Sequence, residues 1–269
     1  MTRTPTDVAG AVAEVFRGVF DQLAEWREPI RSLLGAGGEV RAQTLDTMVA
    51  DLVIPRLEEP DPMLVGAGFI ADGEVVRGRG VHFAWWLGPL DDNPVLGSTT
   101  EPTRLDLSTR GYTEYLRDFR ALEWYRIPAT TRHAHVTGPY VDHLCTCDYI
   151  LTMTMPVHAA IGNSTSTGTS TSTDTDIDSG SGTPGTRMVG VIGADVSVRR
   201  LENELLAAFL DVSAPLALVN DEGRVVLSTE PKLQVGQLAD PGGPGEPCPG
   251  TPLRVLVDPA ASGSIPIIR

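Results

Sequence analysis

From Val8 onward, apolar side chains fall at positions 8, 12, 15, 19, 23, 26, 30 and 33. Steps of four and three put them on one face of a helix, and Phe16 and Phe20 widen the stripe. The spacing predicts a helix from about Asp7 to Glu28, bent or ended by Pro29. Its near-heptad rhythm suits two arrangements: packing on the chain's own domain, or pairing with the same helix of a second copy. Glycines at 35, 37 and 38 break the pattern. A second helix follows, with Leu45, Met48, Val49, Leu52 and Val53 on one side, until Pro55 stops or kinks it.

The period then changes to two. Met63 to Ile70 reads as a buried strand, Asp72-Gly73 as a turn, and Val75 to Leu87 as a longer strand ending in Trp85-Trp86. Arg104 to Leu107 is a short third strand, and Tyr112 to Tyr125 a helix followed by a loop. Tyr149 to Val157 alternates as a half-buried strand does, and Met188 to Val198 is apolar enough for a central one. Arg199 to Leu210 is a helix with Leu201, Leu205, Ala208 and Phe209 inward. Between the last two strands, Asn163 to Gly185 is Ser, Thr, Gly and Asp almost throughout, a long hairpin loop with too little apolar area to offset its ordering entropy. A calcium site at Asp174, Asp176 and Asp178 is the weaker reading, since the glycine turn and closing glutamate of an EF-hand loop are missing. Ala214 to Val219 and Arg224 to Ser228 flank an Asn-Asp-Glu-Gly turn that opens a second, smaller module, to which Leu253 to Val257 adds a strand. The expected fold is α+β: a helical region over 1–58, a larger antiparallel-sheet module over 59–212 carrying the insertion 163–185, and a smaller module with its tail over 213–269.

Composition narrows the chemistry. The 269 residues carry a formal charge of −14, and the only lysine is Lys232. Phosphate recognition needs clustered cations, so nucleic acid is not an expected partner. Schiff-base chemistry would have to use that one lysine, in a Pro- and Gly-rich tail. Three cysteines, Cys145, Cys147 and Cys248, make no disulfide framework. No apolar run is long enough to span a membrane, and the N-terminus has no signal-peptide pattern, so the expected compartment is the cytoplasm.

His133, His135, His143 and His158 lie near Cys145 and Cys147 in sequence, and HxH and CxC spacing puts alternate residues on one strand face. No HExxH or paired CxxC accompanies them, nor any nucleophile elbow, GxGxxG or phosphate loop. A metal-dependent hydrolase or lyase using His133, His135 and His143 is therefore the alternative to a non-enzymatic protein, and no cofactor is expected. A richer constellation is the segment Asp118 to Asp142, which gathers Trp124, Tyr125 and Tyr140 with Glu123 and Asp142. Aromatic faces and carboxylates together attract a small cation, although Trp124 and Tyr125 also suit an ordinary core.

The same segment resembles the ligand-binding region of double-Cache sensor domains, the PAS-like modules of chemoreceptors and histidine kinases. Their D-x-R-x-R-x-W-Y run is matched by Asp118, Arg120, Trp124 and Tyr125. Their GPY turn is matched by Gly138-Pro139-Tyr140, their strand-ending PV by Pro156-Val157, and their late-strand Asp by Asp195 in Gly193 to Ser197. The resemblance covers Val8 to about Val257 and implies two PAS-like modules after the long helix. It implies a ligand site of Trp124, Tyr125, Tyr140, Asp195, Tyr115, Arg120 and Glu123, with Asp195 on the ligand's ammonium group. Where the amino-acid-binding members carry a carboxylate-binding Arg, this chain has Leu122. That departure tilts the expected ligand from an α-amino acid towards an amine or another small polar metabolite. The expected protein is a small-molecule sensor module that signals through a separate regulatory protein and forms a homodimer through its long helix.

Overall fold

The computed structural model describes residues 3–93, 97–105, 118–142, 146, 148–160, 186–240 and 245–261. Helix α1, Pro5–Gly35, starts at Thr4, whose hydroxyl accepts from Asp7 N while the Asp7 carboxylate accepts from Thr4 N. This reciprocal pair and Pro5 in the first turn fix the start. The helix runs straight through Pro29, seven residues past the expected end at Glu28. One lost N–H bond is outweighed by Ile30 and Leu34, both buried in the core. Helix α2, Ala42–Leu57, likewise contains Pro55 within its last turn.

Strand β1, Leu64–Val76, continues through Asp72-Gly73, where a turn was expected, and the chain reverses instead at Arg77-Gly78 into β2, Arg79–Leu87. Asp72 accepts from Gly73 N at 2.8 Å and Gly73 has φ of +81°, so the pair makes a bulge within the β1–β2 ladder. Short strands β3 (Leu90–Asn93), β4 (Gly97–Thr99) and β5 (Thr103–Arg104) follow. After a single 3₁₀ turn, Phe119–Ala121, comes helix α3, Glu123–Thr131. Strands β6 (His135–Val141), β7 (Tyr149–Ala160) and β8 (Thr186–Ser197) lead into α4, Val198–Leu210, capped by the Ser197 hydroxyl. The antiparallel sheet has the order β5-β2-β1-β8-β7-β6. The smaller module contributes β9 (Leu216–Val219), β10 (Val225–Ser228), β11 (Ala239–Asp240), β12 (Glu246–Pro247), β13 (Arg254–Val257) and β14 (Ala260–Ala261). Its four-stranded sheet is ordered β10-β9-β13-β12.

Alternation gives each face of the large sheet its own work. Ala67, Phe69, Ala84, Trp86, Leu151, Met153, Ile192 and Ala194 pack against α1 and α2 in the main core. The opposite face presents Ile70, Phe83, Trp85, Leu87 and Val191 to Phe119, Tyr125 and their neighbours. The α1 stripe of Val8, Val12, Phe16, Leu23, Trp26, Ile30 and Leu34 is consumed by the chain's own sheets, including Leu218 and Val255 of the smaller one. Its outer face carries Glu14, Arg17, Asp21, Glu25 and Arg31.

Candidate functional site

The sheet face opposite α1 carries a row of polar side chains across three strands. Thr137 on β6 lies opposite Thr152 on β7, and Thr152 lies opposite Asp195 on β8. Directly opposed residues of an antiparallel pair share a face, so the three point the same way. The Thr152 hydroxyl donates to Asp195 Oδ1 at 2.6 Å and shares a short hydrogen bond with the Tyr140 hydroxyl. The carboxylate is thus held from one side while Oδ2 stays without a hydrogen-bond partner among the described residues.

Continuing the row, Gly66 on β1 lies opposite both Asp195 and Leu87. A Cβ at Gly66 would sit 3.0 Å from Asp195 Oδ2 and 3.0 Å from Trp85 Nε1. At Gly193 a Cβ would sit 3.4 Å from the Trp85 ring. The indole therefore lies across a strip that two glycines keep free of side chains. Burial and the nearby Asp142 carboxylate push the pKa of Asp195 up to about 7, against the opposing pull of the Thr152 hydrogen bond. A cation bound there would reverse that penalty.

A second cluster occupies the other end of the face. Arg120 Nε donates to Asp72 Oδ2 at 2.9 Å, its terminal nitrogen makes a short contact to Oδ1, and the Tyr125 hydroxyl donates to Oδ2. Although burial works against it, these donors hold the Asp72 carboxyl below its ordinary value. The Arg120 guanidinium also lies 5.1 Å from the centre of the Phe119 ring. Phe119 in turn packs on Tyr125 at 4.9 Å and Phe83 at 5.6 Å between ring centres, while Trp124 stacks on it at 6.3 Å. Thr154 donates to the Trp124 carbonyl at 2.8 Å, which fastens α3 to β7.

The expected ligand residues therefore divide. Asp195 and Tyr140 meet through Thr152. Tyr125 and Arg120 meet at Asp72, six residues along β1 from Gly66, or about 20 Å away at roughly 3.3 Å per residue. A small ligand on Asp195 does not reach them. Trp124 lies between, half-buried, on the rung of Thr154 and Gly193. Glu123 pairs with His135 at 2.8 Å, and Tyr115 lies outside the described residues. Of the histidine trio, His135 is engaged by Glu123, His133 is exposed, and His143 lies outside the described residues. Among the described residues no three His, Cys, Asp or Glu side chains are placed to hold a metal ion. Sequence reading passed over Trp85, Gly66, Thr152 and Asp72. The alternation of β2, which separates Trp85 from the core-facing Trp86, was the signal that could have found the first.

No family model matches the sequence, and no curated protein does either. Solved structures do match in fold. The ligand-binding domain of the Pseudomonas aeruginosa PAO1 amino-acid chemoreceptor PctC, in complex with GABA, aligns with a TM-score of 0.55 at 17% identity, over 94% of this chain and 95% of that one. The extracellular domain of mmHK1S-Z3, assigned as a histidine kinase, aligns at 0.55 with 11% identity over 96% and 92%. The ligand-binding domain of the Pseudomonas fluorescens chemoreceptor CtaA with L-valine aligns at 0.50 with 14% identity over 96% and 93%. The chain has the fold of these sensor domains, as the double-Cache motifs implied. Among the described residues no helix is long and apolar enough to cross a membrane.

Proposed function

We propose, starting from the fold that these sensor domains share, that the chain is a small-molecule-binding sensor module whose large sheet takes a small ammonium compound at Asp195. The observation that carries this reading is the Asp195 carboxylate. It is half-buried, oriented through Oδ1 by Thr152, raised in pKa by burial and by Asp142, and open at Oδ2 beside the Trp85 indole. A buried carboxylate without a cation is costly, and an ammonium group offsets that cost with a charge-assisted hydrogen bond. GABA and L-valine, named with two of the structural neighbours, both carry such a group.

The preference for an amine over an α-amino acid rests on two guanidinium positions. Leu122 replaces the arginine of the amino-acid-binding pattern, and Arg120 is spent on Asp72. Neither position then offers a guanidinium to a ligand carboxylate. The bound state is read by a separate protein, as suits a module whose structural neighbours are the sensing parts of receptors and kinases.

A thermal-shift screen across amines, amino acids and small carboxylates tests the proposal. An amine at about 100 times its Kd adds roughly 2.7 kcal/mol to stability. Stabilisation by carboxylates alone, or amine binding that is as tight in Asp195→Asn as in the parent, overturns it.

A further inference from the structure

We propose that Trp85 is a ligand-binding residue, and that its indole N–H selects amines carrying a hydrogen-bond acceptor close to the ammonium group. This deepens the amine-binding reading and rests on it. Trp85 is only 6% exposed, and a buried indole N–H ordinarily has an acceptor. Here it makes no hydrogen bond among the described residues, and, unlike a fully enclosed atom, it keeps access to open space. The same atom is aimed at the candidate site, because Nε1 and Asp195 Oδ2 both lie 3.0 Å from one point above Gly66. They are therefore at most twice that distance apart. One is a donor lacking an acceptor, the other an acceptor lacking a donor.

A ligand that satisfies both must present an ammonium to Oδ2 and an oxygen to Nε1 within a short reach. A vicinal amino alcohol has that layout, and a plain alkylamine does not. The surroundings favour a compact molecule. Leu87 Cδ2 lies 3.4 Å from the same point above Gly66 and closes one side with an apolar wall. On the same row, the Thr137 hydroxyl is buried and is the only enclosed side-chain polar atom without a partner among the described residues. The row is thus underused in hydrogen bonds on the β6 side as well as at Trp85. Leaving buried donors unpaired costs free energy that a ligand oxygen recovers.

The experiment compares propylamine with 1-amino-2-propanol by calorimetric titration of the full chain and of Trp85→Phe, which keeps an aromatic ring and removes the N–H. The parent should bind the amino alcohol about five- to tenfold more tightly, the worth of one hydrogen bond. Trp85→Phe should bind both compounds alike. In the parent, one of the four indole N–H resonances should move on adding the amino alcohol and stay in place with propylamine, a readout that holds even where the variant folds poorly. A parent that binds propylamine and shows no preference overturns the Trp85 assignment alone. So does a preference that persists in Trp85→Phe, or an indole spectrum that the amino alcohol leaves unchanged. A parent that binds neither compound overturns the amine-binding reading and this inference with it.

Discussion

Replacing Asp195 by Asn should stabilise the ligand-free protein at neutral pH while destroying its affinity for cations. A rise in pKa from 3.8 to about 7 corresponds to roughly 4 kcal/mol against the charged carboxylate, at about 1.4 kcal/mol per tenfold change. Asp195 is only half-buried, so solvent returns part of this, and about 2 to 3 kcal/mol is the expected gain at pH 8. The amide oxygen of Asn still accepts from Thr152, so the change is close to a pure removal of charge. The sign follows from proton counting. Between about pH 4 and 7 the folded parent retains a proton that the unfolded chain has released, so its stability falls as pH rises across that window. The variant has no such slope. Its melting temperature should therefore match the parent's near pH 4 and exceed it by about 4 to 12 °C at pH 8, at roughly 2 to 4 °C per kcal/mol for a chain of this size. Propylamine affinity of the parent should drop about tenfold from pH 8 to 6 as Asp195 takes up its proton. Calorimetric melts at the two pH values, paired with titrations, measure both effects. A variant that is less stable than the parent by the same amount at pH 4 and pH 8 would refute the reasoning, because the Asp195 charge would then be a structural asset and not a cost borne for binding.

Gly66→Ala places a methyl 3.0 Å from both Asp195 Oδ2 and Trp85 Nε1; titration should show amine affinity falling at least tenfold, with about 1 to 3 kcal/mol of stability lost to crowding in a urea melt. Asp72→Asn removes the charge shared by Arg120 and Tyr125 and should cost about 1.5 to 3 kcal/mol at pH 7. Because the Asp72 carboxyl titrates below its ordinary value of 3.8, that stability is present above this value and fades as pH falls through the lower folded one, so parent and variant should converge in strong acid. Cys248 is 1% exposed, and burial, with help from Glu246, pushes its thiol up to about 12. In a Cys145→Ser/Cys147→Ser background a thiol reagent at pH 8 should leave it unlabelled until urea unfolds the chain.

Elements with a clear period were legible in the sequence. The α1 stripe, the alternation of β7 and β8 and the inward face of α4 follow from residue spacing alone, and the double-Cache motifs anticipated the two-sheet fold. Errors arose where a polar side chain reached across the fold. Asp72-Gly73 has the composition of a turn, and only Arg120 and Tyr125, 48 and 53 residues further on, reveal it as a bulge holding the far cluster. The motif residues of the ligand segment were read as one site because they are adjacent in sequence. In the fold, Tyr125 and Arg120 face one end of β1 and Asp195 the other. Trp85 was hidden by its neighbour, since a Trp-Trp pair looks like a single apolar unit until the sheet splits the two rings between its faces.

The position of α1 between the two sheets also constrains how the chain can be made. The helix precedes both sheets in the sequence, yet its apolar stripe is covered in part by Leu218 and Val255, and Thr6 near its start donates to Glu246, 240 residues later, at 2.7 Å. Until β13 is made, the part of this 31-residue helix that packs on the smaller sheet has no cover. The contacts that close the structure are among those most separated along the chain, which slows folding and lengthens the exposure of that surface. Truncation before β13 should thus leave α1 uncovered where that strand would have packed.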